Sequence, residues 1–147
     1  MPHRATLALL TVALALTGCA IFVPPEPDPM LAADLSRYVY PKDAPLGDDL
    51  DVQLVRTGRQ HFYLLNRTAY HYPKGQIWIN REYVGLTDGV SIGGDNPYDL
   101  TRFINAHGEL YRVGALLQPE KSYPIVLAEY YNPATGKRHR MVVREGA

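Results

Sequence analysis

The chain is poor in cysteine, in phenylalanine and tryptophan, and in net charge. Its one cysteine excludes an intramolecular disulfide and any cysteine-built metal site, so folding must rest on an apolar core. Acidic and basic residues balance at 15 each. That balance excludes a global field that would steer the molecule to nucleic acid, and no nucleic-acid partner is expected. No apolar run approaches the roughly 20 residues that a membrane-spanning helix requires. His61, His71, His107 and His139 show no H-x-x-x-H spacing, and no metal or other cofactor is expected from them.

Tyrosine is plentiful: 11, against 3 phenylalanines and 1 tryptophan. Tyrosine suits half-buried strands, because one end of its ring stays wet. Charge is unevenly spread. Residues 26–51 carry seven acids and two bases, whereas residues 52–147 carry eight acids and twelve bases.

The N-terminus begins with His3 and Arg4, continues through an almost wholly apolar stretch at 5–16, and closes on Leu16-Thr17-Gly18-Cys19. The apolar stretch has the length of a signal-peptide core rather than of a membrane span. The four closing residues resemble the lipobox of bacterial lipoproteins. That resemblance implies a signal peptide at 1–18, cut between Gly18 and Cys19. It also implies a diacylglyceryl thioether on Cys19, with a further acyl chain on the new amine. Each buried methylene then contributes about 0.8 kcal/mol to membrane attachment. Ala20, where aspartate would favour inner-membrane retention, implies the periplasmic side of the outer membrane or the cell surface.

Residues 19–45 read as a lipid-anchored linker. Pro24-Pro25-Glu26-Pro27-Asp28-Pro29 favours extended polyproline II, which over 20–29 reaches on the order of 30 Å. Asp28 and Pro29 are a cap and first residue for a short helix at 29–39, with Met30, Leu31, Leu35, Tyr38 and Val39 as its apolar stripe and Pro41 as its stop.

A domain is expected at 46–147, where the hydrophobic period changes to two. Strands are read at 50–54, 61–66, 76–80, 82–86, 90–92, 98–104, 109–113, 125–131 and 137–144. Asn80-Arg81, Asn105-Ala106-His107-Gly108 and the stretch Asn132-Pro133-Ala134-Thr135-Gly136 are hairpin turns. The predicted class is an all-β, antiparallel β-sandwich of about seven to nine strands, with a small β-barrel as the alternative. The order resembles bacterial immunoglobulin-like or fibronectin-III-like modules, on Leu64-Leu65-Asn66, Ile77-Trp78-Ile79 and Phe103. The Cys…Trp…Cys signature of antibody domains is missing.

Four features bear on chemistry. Gly89-Val90-Ser91-Ile92-Gly93 has the G-x-S-x-G pattern of serine hydrolases. That motif requires a strand, a strained turn and then a helix, and Gly94-Asp95-Asn96-Pro97 breaks a helix. Asp88, Asp95, Asn96 and Asp99 are oxygen donors, but turn chemistry accounts for them and their spacing is not that of an EF-hand. Tyr70, Tyr72 and Trp78 are the candidate ligand surface, suited to stacking on a glycan. Arg138, Arg140 and Arg144 share one face of the last strand and read as guards of a sheet edge. The expectation is therefore a non-enzymatic envelope lipoprotein, held to the membrane by its lipid and to a protein partner by its domain. Cell-wall carbohydrate binding is the alternative reading, and a small serine hydrolase a more remote one.

Overall fold

A computed structural model describes residues 26–94, 97–114 and 122–145. The lipobox, Cys19 and the Gly18–Cys19 cleavage site lie outside the described residues.

The fold is all-β with one short helix. In chain order come α1 (Pro29–Leu35), β1 (Val52–Thr57), β2 (His61–Asn66), β3 (Gly75–Ile79), β4 (Tyr83–Thr87), β5 (Gly93–Gly94), β6 (Tyr98–Asp99), a 3₁₀ turn (Leu100–Arg102), β7 (Ala128–Asn132) and β8 (Lys137–Glu145). The eight strands form one mixed, curled sheet in the order β4-β3-β7-β8-β1-β2-β5, with β6 also on β2.

Turn chemistry sets the hairpins. Asn80 and Arg81 both have positive φ, at 53° and 62°, and the Glu82 amide donates to the Ile79 carbonyl. These are the marks of a type I′ turn, whose twist matches the strands it joins. The expected turn at 132–136 joins β7 to β8, closed by the Gly136 amide on the Asn132 carbonyl. The expected strands at 98–104 and 109–113 are largely irregular. There the 3₁₀ turn interrupts the first, and single bridges of Ile104 to Leu110 and to Val84 replace a ladder.

One pairing departs from an all-antiparallel reading. β1 runs parallel to β8, with Gln53 opposite Val142 and Arg56 opposite Glu145. The approach to β1 already follows β8, since Leu46 bridges Arg138 in parallel and the Leu50 amide donates to the Arg140 carbonyl. Thus β8 is a central strand, paired to β7 through its first half and to β1 through its second. Its arginines do not guard an edge.

Residues 98–104 connect the ends of the ladder. Tyr98 and Asp99 pair with Phe62 and His61 on β2. The 3₁₀ turn then carries the chain across, and Ile104 exchanges two backbone hydrogen bonds with Val84 on β4. The curled sheet is thereby drawn round its main core of Val52, Leu54, Phe62, Leu64, Ile77, Ile79, Phe103, Tyr111 and Tyr130, among others.

A second, smaller cluster lies on the outer face of β3 and β4. Leu35 of α1 packs with Trp78, Val84 and Ile104, and Leu31, Tyr38, Tyr40 and Tyr131 close around them. Residues 29–46 therefore pack on the domain instead of serving wholly as linker. The helix starts where expected: the Asp28 carboxylate accepts from the Met30 amide, and Pro29 stands at the first turn. It ends at Leu35 rather than near Val39, because the chain turns there to lay Tyr40 edge-on against Trp78, ring centroids 5.4 Å apart.

Candidate functional site

Two places on this scaffold concentrate polar groups against an apolar background. One is a closed network; the other is an open groove.

The network centres on Glu129 of β7, 1% exposed. The Tyr40 hydroxyl donates to Glu129 Oε2 and accepts from Arg138 Nη1. Arg138 Nη1 also reaches Glu129 Oε1 at 3.5 Å, and its Nε donates to the Ala44 carbonyl at 3.0 Å. Arg138 lies across the Tyr40 ring, 5.3 Å from its centroid. Burial, reinforced by the hydrogen bond and the charge of Glu129, pushes the Tyr40 phenol above its ordinary range. Every polar group here is directed at another part of the same chain, so the network is a clamp. It holds 36–46 against β7 and β8, and truncating one member of such a buried pair typically costs about 3–5 kcal/mol.

A second buried cation, Arg56, donates to the carbonyls of Tyr123 and Arg59 at 3.0 Å each and to Ser122 Oγ at 2.5 Å. It ties β1 to the connection that leads into β7.

The groove runs between α1, the outer edge of β4 and residues 97–103, and encloses about 730 Å³. Leu31, Leu35, Tyr98 and Phe103 supply apolar wall, while His71, Asp88, Ser91, Asp99 and Arg102 are polar. Phe103 can sit so deep because β4 carries Gly85 beside it: a Cβ there would stand 2.5 Å from the ring. Asp99 Oδ1 accepts from the amide and hydroxyl of Thr101, and Asp88 pairs with Lys74 at 3.1 Å. Thr87 Oγ1 joins the Tyr98 hydroxyl at 2.8 Å. A shallower extension of about 480 Å³ shares Leu31 and Arg102 and continues to Glu26, Asp28 and Asp34.

The sheet edge on this groove is open. Val84 turns both its N–H and its C=O outward, to Ile104. Strand geometry repeats every two residues, so the N–H and C=O of Leu86 point the same way. Beyond Val84 no described segment pairs with that edge. The Leu86 side chain is 51% exposed.

No protein-family model, curated protein or solved structure matches this chain. What the molecule can do must be read from its own surface.

The aromatic surface anticipated at Tyr70, Tyr72 and Trp78 is not assembled. Trp78 is 2% exposed, lies under Tyr40 and α1, and donates its indole N–H to Gln76 Oε1. Tyr72 is half-buried and packs edge-on to Tyr130. Only Tyr70, at 73% exposure, presents a face to solvent. Trp78 alternates correctly with Ile77 and Ile79, but the outer face that alternation assigns it to is covered by α1.

Arg138 is 14% exposed and committed to Glu129, so the basic face read on β8 loses its first member. Ser91 and His71 do line one groove. The chain after Ser91 continues into β5 rather than into a helix. Of the four oxygen donors, Asp95 and Asn96 lie outside the described residues, and Asp88 and Asp99 are engaged as above. No group of three or more His, Cys, Asp or Glu residues is placed to hold a metal ion among the described residues. Asn66, which heads an Asn-Arg-Thr sequon, is buried. Its amide nitrogen donates to the carbonyls of Tyr70 and Val90, and its oxygen accepts from Thr68. The clamp residues Tyr40 and Glu129 and the groove residues Leu31, Leu35, Leu86 and Arg102 were not singled out for a site by sequence pattern. The one available signal was a glutamate alone in a strand otherwise rich in tyrosine.

Proposed function

We propose that this protein is a lipid-anchored envelope lipoprotein whose β domain is a non-enzymatic module for binding another protein. The anchor reading rests on Leu16-Thr17-Gly18-Cys19, with the lipid on Cys19 and the signal peptide ending at Gly18. It places the molecule at the periplasmic side of the outer membrane or at the cell surface. The interaction reading is supported by one observation above all, the open β4 edge at Leu86 facing an apolar-walled groove. Sheet edges of this kind recruit extended chains from partners.

The tether and the groove are physically joined in this reading. Leu31 and Leu35 of α1 form a groove wall, and α1 follows directly on the stretch that leads back to Cys19. A partner held in the groove is tethered to the lipid through the proline-rich stretch, which in extended form reaches on the order of 30 Å.

Cys19→Ala is expected to abolish incorporation of a radiolabelled fatty acid and to move the protein from the membrane to the soluble fraction. Continued membrane fractionation of unlabelled Cys19→Ala protein would sink the anchor reading. A serine hydrolase is a second reading, drawn from Ser91 and His71 lining one groove. A fluorophosphonate probe is expected to leave Ser91 unmodified, and stoichiometric labelling would replace binding by catalysis. The carbohydrate reading rests on Tyr70 alone once Trp78 is buried.

A further inference from the structure

We infer that the groove between α1 and β4 takes an extended, cationic peptide strand from a protein partner, apolar at alternate positions and rich in lysine or arginine between them. The inference rests on the interaction-module reading above and gives it a place and a partner chemistry.

Three observations converge on it. The first is the backbone. Leu86 turns its N–H and C=O toward the groove, and the strand paired at that edge stops at Val84 with Ile104. An incoming strand continues the pairing that Ile104 begins, so its register is set by an existing bridge. Main-chain bonds of this kind supply affinity without dictating sequence, and the side-chain pockets supply preference.

The second is the apolar surface. Leu31, Leu35 and Phe103 line the same groove, and Leu86 remains half-exposed beside them. Side chains of a strand alternate between faces. One face of the incoming strand meets these residues and calls for apolar side chains. The other faces solvent and the rim.

The third is charge. Asp88 and Asp99 line the groove, and Glu26, Asp28 and Asp34 line its extension, against the single guanidinium of Arg102. Asp88 and Asp34 each have a basic neighbour, Lys74 and Arg37, at 3.1 Å. Both pairs are exposed and so weakly held. Five carboxylates against Arg102 and these two neighbouring bases leave an acidic excess, which favours a basic occupant and disfavours an acidic one, chiefly through its rate of association.

The test uses three fluorescein-labelled nonapeptides and the full chain purified in detergent. One peptide alternates valine with lysine, one alternates valine with glutamate, and one carries proline in place of each valine of the first. Fluorescence anisotropy is expected to show the valine–lysine peptide binding at least about tenfold more tightly than either of the others, a difference of about 1.4 kcal/mol. The Leu86 amide is expected to exchange its hydrogen more slowly when that peptide is bound. Leu86→Pro removes the edge donor at a position where proline is tolerated in a sheet, and should weaken binding by about tenfold or more. Leu86→Ala keeps the donor and should retain most of the binding. If Leu86→Pro does not fold, amide exchange at Leu86 in the unaltered protein decides the matter alone. Equal binding of the valine–glutamate peptide overturns the cationic partner. Peptide binding that leaves Leu86 exchange unchanged overturns the groove while sparing the interaction-module reading. No peptide binding, together with retention on peptidoglycan, overturns both.

Discussion

Tyr83 and Tyr130 hold their phenolic protons up to about 12. In both, burial is the main cause, because it penalises the charged phenolate. Nearby Glu82 adds to the effect at Tyr83, and Tyr72 at Tyr130. The consequence for stability has a definite sign. An unfolded tyrosine titrates near 10, so between pH 10 and 12 the folded state binds more protons than the unfolded one. Stability is full below pH 10 and is lost as the pH climbs towards 12. Urea midpoints should thus stay level up to about pH 10 and fall beyond it, in step with phenolate absorbance. Tyr130→Phe should make the alkaline fall shallower. It should also lower stability at neutral pH by about 1 kcal/mol, because the Tyr130 hydroxyl donates to the Pro73 carbonyl at 2.7 Å. An alkaline limb of unchanged steepness in Tyr130→Phe would remove Tyr130 from this account. At this scale the sequence was legible where chemistry is local. The turn residues Asn105 and Asn132 use their side chains on neighbouring backbone: Asn105 Oδ1 accepts from the amides of His107 and Glu109, and Asn132 Oδ1 from that of Ala134. It was not legible at Glu129, whose partner Tyr40 comes from a distant part of the chain.

Helix α1 shows how far a single element can be read before its neighbours decide the rest. Asp28 and Pro29 mark the helix start by local hydrogen bonding and a fixed φ, so the start needs no tertiary information. The apolar stripe also named Leu31, Leu35 and Tyr38, and these do pack on the sheet. Met30 and Val39, members of the same stripe, are each 78% exposed, because the helix stops short and the chain bends into the Tyr40 clamp. The same bend explains why β3 is buried on both faces, contrary to its alternating pattern. Since Trp78 is the only tryptophan, its fluorescence reports directly on whether α1 is docked. Leu35→Ala removes a buried side chain that bridges α1 to Trp78, at a cost of about 2–5 kcal/mol. The expected result is a red-shifted emission that acrylamide quenches more readily, with the far-ultraviolet β signal retained. Should the emission of Leu35→Ala stay blue and protected, α1 would not be what covers Trp78.

For the molecule as a whole, the decisive contact joins the first and last strands of the sheet. β1 and β8 are the first and last strands, yet they lie side by side and parallel. A reading by hairpins alone reaches β1 with β2, β3 with β4 and β7 with β8, since each pair is joined by a short turn. The parallel pair has no turn to announce it, and its register is fixed only when the core closes. Contacts so distant in sequence make folding slow relative to helical proteins of the same size, and they make it cooperative, because the closure entropy is met before the contacts form. Deletion of residues 137–147 would take from β7 and β1 the strand that pairs with both, and would take Arg138 from Glu129. What remains would have two further open sheet edges, and a buried carboxylate left with only the Tyr40 hydroxyl and the more distant Arg81, 4.0 Å away. Such a chain should lack near-ultraviolet circular dichroism, bind a hydrophobic dye and show no cooperative urea transition. Adding a synthetic peptide of residues 137–147 in excess should restore the transition, with a midpoint that rises with peptide concentration as mass action requires. A truncated chain that still unfolds cooperatively without the peptide would mean that the hairpins hold a core of their own. β8 would then be an accessory strand rather than the one that joins the sheet.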